Sequence, residues 1–102
     1  MKAITFDDFG PADVLRLAEV PMPEVRPGDL LVKVHAAGVN RADLLQRLGY
    51  YGRQSYGESD LLGLEAAGEV IAVGANVTDI RRGERVMGIV GGGAYAEFAR
   101  VD

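Results

Sequence analysis

Six positions in this chain have types suited to chemistry: His35, Asn40, Asp43, Tyr51, Glu65 and Gly92. Asn40 and Asp43 are three apart, so on a helix they share one face. Asn40 suits a helix N-cap, because its side-chain oxygen can accept from an otherwise orphaned backbone N–H. Asp43 is then a first-turn acid favoured by the helix dipole, or a group that positions Asn40 or holds a water. Tyr51, beside Tyr50, offers a phenolic O–H and a ring face, although a loop tyrosine commonly packs or faces solvent. Glu65 reads as a buried, paired acid at a strand start, with any role at a site an indirect one. Gly92, in the run Gly91-Gly92-Gly93, marks a bend or a place where backbone comes close to a ligand. The run is no phosphate loop, since no Lys and no strand-to-helix context follow it. His35 alternates with Lys33 and reads as a surface residue of a strand.

What is missing narrows the chemistry. The 102 residues contain no Cys and one His. Disulfides, thiolate nucleophiles and Cys-based zinc sites are excluded together, and a Ser-His-Asp triad or His-rich metal site is hard to build. The formal net charge is -4, and no basic cluster exceeds Arg81-Arg82, so a nucleic-acid footprint is absent. No apolar run approaches the about 20 residues of a membrane span. Asp7 and Asp8 fall where a signal peptide would have its apolar core, so the expected setting is cytoplasmic.

The elements that must hold these residues are mostly strands. Residues 1–6, 14–20, 30–37, 65–73, 85–90 and 95–101 read as strands, separated by Gly- and Pro-containing turns. In the third strand Leu30, Val32, Val34 and Ala36 fall on one face, with Leu31, Lys33, His35 and Ala37 on the other. Residues 40–48 form the one helix, with an apolar stripe of Leu44, Leu45 and Leu48 and a terminating Gly49. Residues 50–60 read as a loop. The fold class is mainly β: a partly open barrel with one or two short helices. The chain is one domain's worth of sequence, 1–102, and no βαβ dinucleotide-binding unit is present in it.

Three segments in order, GVNRADLLQRLGYY, LGLEAAGEV and GERVMGIVGGGAYAEF, resemble the N-terminal GroES-like domain of medium-chain dehydrogenases/reductases. The similarity is to the zinc-free quinone oxidoreductase branch, of the zeta-crystallin and p53-inducible quinone reductase type, and it covers essentially the whole chain. In the zinc branch a Cys stands at the position of Asn40 and a His at that of Leu64. Neither residue here can replace a thiolate or an imidazole, so the resemblance implies chemistry without zinc.

The resemblance implies hydride transfer from NADPH to a quinone, with an enone as the alternative acceptor. It implies that Asn40, Asp43, Tyr51, Glu65 and Gly92 line the substrate and cofactor cleft, with Tyr51 a direct substrate contact. It also implies a Rossmann domain beyond residue 102 that carries the main cofactor site, and a homodimeric parent enzyme. The expectations that follow are a chain inactive by itself and an exposed apolar surface that favours self-association. A co-chaperonin lid shares the barrel type and a similar length. Such a protein has no need of NRADLLQRLGYY or LGLEAAGEV.

Overall fold

A computed structural model describes residues 1–49, 59 and 61–102. Antiparallel strands dominate it. Strand β1 (Lys2–Thr5) pairs with β2 (Arg16–Glu19) in a two-stranded sheet. A four-stranded sheet contains β3 (Leu30–Ala37), β4 (Glu65–Val73), β5 (Arg85–Ile89) and β6 (Phe98–Val101), in the order β5-β4-β3-β6. A lone bridge between Ala3 and Ala96 joins the two sheets. The larger sheet keeps two edges, β5 and β6, so the barrel is partly open. One α-helix, α1 (Arg41–Leu48), and a 3₁₀ turn at Ala12–Val14 complete the described elements.

The core lies on the inner face of the larger sheet. Leu30, Val32 and Val70 pack with Val77, Ile80, Val86 and Val101. Ala66, Val90 and Ala94 form a second cluster against Val34 and Val101. The alternation expected for β3 fails at its start, where Leu30, Leu31 and Val32 are all buried. The pairing with β4 shifts register between Leu31 and Val32, and such a bulge resets which face a residue takes. His35 is exposed, as expected of a surface strand residue.

Four strands are shorter than their expected bounds, and two of them start two or three residues late. Val14 belongs to the 3₁₀ turn after Pro11, so the second strand begins only at Arg16. The last strand begins at Phe98 rather than at 95. The backbone N–H groups of Gly93, Ala94 and Tyr95 bond instead to the carbonyls of Leu61, Gly63 and Leu62, at 3.0, 3.2 and 3.0 Å.

Helix α1 also corrects an expectation. Leu44 and Leu48 are 42% and 46% exposed, whereas Asp43 and Gln46 are buried at 4% and 3%. The helix docks by its polar side. The cause is the set of hydrogen bonds that Asp43 makes below it, which an apolar stripe cannot offer. The helix ends at Gly49 in the left-handed conformation.

A second buried acid holds the turn before β3. Asp29 is 2% exposed and accepts from the Nε of Arg26 at 2.7 Å and its backbone N–H at 3.0 Å. The Nε of Arg100 lies 3.5 Å away. The Arg26 hydrogen bond holds the Asp29 carboxyl below its ordinary value of 3.8, against the opposing effect of burial.

Candidate functional site

The residues with the most chemical potential meet at the start of α1. Asn40 takes the N-cap with extended backbone and forms a capping box with Asp43. Asp43 Oδ2 accepts from the Asn40 backbone N–H at 2.9 Å. The Asp43 N–H in turn bonds to the main-chain carbonyl of Asn40 at 3.0 Å. Asp43 Oδ2 also accepts from the Tyr95 hydroxyl at 2.7 Å, and Oδ1 accepts from the Gly63 N–H at 3.2 Å. A buried carboxylate is costly unless its oxygens are met, and these three donors meet them. Burial, and next the Asp43 carboxylate, push the Tyr95 phenol well above its ordinary 10.0.

Asn40 Nδ2 is different. It is buried, yet among the described residues it donates to no acceptor. A buried donor left unmet costs about 1–3 kcal/mol, so a group of this kind calls for an explanation. An oxygen acceptor supplied by a bound molecule is one.

Gly63 fits this network because it has no side chain. Its φ is 103°, and a Cβ there would lie 2.6 Å from the Tyr95 nitrogen and 2.7 Å from the Ala94 Cβ. The close approach lets its N–H reach Asp43.

An open groove of about 480 Å³ runs over the ends of β3, β4 and β5. Its walls are mostly small and apolar, among them Ala36, Ala67 and Gly88, with Met87 and Ile89 as the large apolar side chains. Glu65 is its charged lining residue, and Gly38, two residues before Asn40, also lines it. Glu65 is exposed, which overturns the expectation of a buried, paired acid. Its cross-strand neighbour is Ile89, itself 79% exposed, so both sit on the outer face of the sheet where no cation meets the carboxylate among the described residues. The carboxylate lies over Gly38, close enough that a Cβ on Gly38 would overlap Oε2.

Gly92 lies elsewhere. It lines a smaller cavity of about 140 Å³ with Ser59, Leu61 and Gly93, away from the groove that holds Glu65. Its φ is 108°, and a Cβ would meet the Ser59 carbonyl oxygen at 2.6 Å. Its glycine character is explained by that backbone approach. Tyr51 falls outside the described residues. The structure thus brings Asn40 and Asp43 together, sets Glu65 in a groove that Gly38 also lines, and puts Gly92 in a separate cavity. Two further residues, Tyr95 and Gly63, complete the Asp43 network. The sequence carried a signal for each in the GAYAE and LGLEA segments, but their partners are distant in the chain.

The profile of the alcohol dehydrogenase GroES-like domain matches residues 26–102. The chain belongs to this family. Over 97% of its length this GroES-like domain is 40% identical to the quinone oxidoreductase of Lama guanicoe, of which it covers 30%. It is 34% identical, over 86% of its length, to the 2-methylene-furan-3-one reductase of Solanum lycopersicum, of which it covers 23%. The crystal structure of Escherichia coli quinone oxidoreductase complexed with NADPH has a TM-score of 0.87 to it and 30% identity, covering 99% of this chain and 31% of that one. The GroES-like domain therefore spans about a quarter to a third of the length of these relatives.

Proposed function

We propose that this GroES-like domain is the substrate wall of a zinc-independent reductase that passes a hydride from NADPH to a quinone. The observation that carries the reading is the buried, unpartnered Nδ2 of Asn40. A quinone oxygen gains negative charge as hydride adds to the ring. A donor already fixed and desolvated stabilises that charge without reorganising. Glu65 lines the apolar groove in which a flat ring would lie, and its charge favours a neutral acceptor over an anionic one. The relatives named quinone oxidoreductase support the acceptor class.

NADPH supplies the hydride when bound. The usual phosphate position at a helix N-terminus is filled on α1 by the carboxylate of Asp43. The phosphates of a bound cofactor would therefore be held by residues other than those of α1. On this reading the chain alone does not turn over. Zinc independence rests on the donor set: no Cys in the sequence, an exposed His35 on β3, and Asn40 and Leu64 at the two positions where the zinc branch has Cys and His. A cytoplasmic setting belongs to the same proposal, and among the described residues no helix is long and apolar enough to cross a membrane.

An enone is the second reading for the acceptor, favoured by the similarity to a 2-methylene-furan-3-one reductase. Polarising a carbonyl while hydride goes to a conjugated carbon uses the same Asn40 donor. The test is NADPH oxidation by the full-length gene product with panels of quinones and of enones, together with metal analysis. Turnover with quinones and no stoichiometric zinc is expected. Turnover with enones alone selects the second reading, and turnover with neither, or activity that requires zinc, overturns the proposal.

A further inference from the structure

Among the described residues the Tyr95 hydroxyl is the one side-chain donor to Asp43; the other two donors are backbone N–H groups. Tyr95 is itself anchored on two sides. Its N–H bonds to the Leu62 carbonyl at 3.0 Å, and its carbonyl accepts from the Ile4 N–H at 2.8 Å. Its ring is thus carried by backbone tied both to the turn before β4 and to β1. One oxygen of Asp43 then receives both the Tyr95 O–H at 2.7 Å and the Asn40 N–H at 2.9 Å. The Asn40 backbone is set against Tyr95 through that single atom.

We infer that Tyr95 is a positioning residue, which holds Asp43 and through it the Asn40 amide donor in place. This rests on the reading of Asn40 as the substrate's hydrogen-bond donor. The geometry gives the reason a hydroxyl is needed at this position. Without it, Asp43 Oδ2 keeps only the Asn40 N–H, and the carboxylate can rotate toward Gly63. Phe at 95 would fill the same space and lose only the hydrogen bond. The phenol stays protonated throughout the range in which enzymes work, because burial and the neighbouring carboxylate both resist its ionisation. The clamp is therefore permanent rather than a switch.

The test uses the ¹⁵N-labelled 102-residue chain and its Tyr95→Phe variant. Hydrogen exchange is measured at the Asn40 and Gly63 amides, with Val32 and Val70 as core references. Loss of a charge-assisted hydrogen bond is expected to speed exchange at Asn40 and Gly63 roughly tenfold or more, and to move the Asn40 side-chain NH₂ resonances. Val32 and Val70 should not change. Unaltered Asn40 and Gly63, or an equal acceleration at Val32 and Val70, overturns the inference. If Tyr95→Phe does not fold, Asp43→Asn is measured instead. It keeps an acceptor but removes the charge, and it should loosen the same two amides.

A kinetic arm uses the full-length gene product. Tyr95→Phe should lower kcat/KM for the hydride acceptor while leaving the KM for NADPH unchanged, and an equal rise in both KM values overturns it. If the wild-type enzyme reduces neither quinones nor enones, the functional reading fails, and the exchange data still decide whether Tyr95 positions Asn40.

Discussion

Asp43 Oδ1 accepts the backbone N–H of Gly63 at 3.2 Å and so ties the first turn of α1 to the turn before β4. With the Asn40 N–H and the Tyr95 O–H on Oδ2, this one carboxylate joins three separate pieces of chain. Asp43→Ala strands three donors at once, that of Gly63 buried and those of Asn40 and Tyr95 part-buried. A loss of about 2–4 kcal/mol is expected, since each unmet group costs on that scale and the site can relax in part. Urea unfolding of the purified chain measures it. A loss below about 1 kcal/mol would show that the carboxylate is dispensable to the fold.

Asn40 should separate function from stability. Asn40→Ser keeps an N-cap side chain and removes the buried, unpartnered Nδ2. Stability should stay within about 0.5 kcal/mol of the wild type or rise slightly. In the full-length gene product, kcat/KM for the acceptor should fall roughly a hundredfold, the scale of losing one donor to a developing oxyanion. Unchanged turnover would remove Asn40 from the site.

The strands and the helix cap were legible because their signals are local. Residues 30–37 and 65–73 are bounded by Gly-containing turns, and the structure has strands at Leu30–Ala37 and Glu65–Val73. Asn40 sits at the cap that its type favours. The buried face of α1 was not legible. Leu44, Leu45 and Leu48 look like a core stripe, but Asp43 finds its partners 20 and 52 residues away, and those contacts decide which side docks. Glu65 was open to a better reading. Ala66, Gly68 and Val70 mark the inward face of β4, which leaves Glu65 pointing out. Gly92 was legible as a place of close backbone approach, but the backbone it meets is that of Ser59 in the same chain.

Asp29 makes stability depend on acid. Its folded pKa lies below 3.8, chiefly through the Arg26 hydrogen bond, so folding favours its ionised form. The stabilisation is fully present above 3.8 and is lost as pH falls through the lower, folded value. Asp29→Asn should cost about 1–3 kcal/mol at neutral pH, because the Arg26 pair loses its charge. The difference between wild type and variant should shrink on acidification below about pH 4. Thermal unfolding of both proteins across pH measures this, and a difference that stays constant down to acid pH contradicts it.

Strand β5 offers the surface for self-association. It is an edge of the larger sheet, and its Met87 and Ile89 side chains are 84% and 79% exposed. An unpaired strand edge with large apolar side chains is a template for pairing with another chain. The purified 102-residue chain should therefore gain mass with concentration in sedimentation equilibrium. Replacing Met87 and Ile89 together by Lys puts like charges along that edge, where cross-strand pairing would set them close to one another. The double variant should remain monomeric over the range in which the wild type associates, with its unfolding midpoint little changed, because neither side chain contributes to the core. A wild-type chain that stays monomeric throughout, or a double variant that associates equally, would place the sticky surface elsewhere or nowhere on β5.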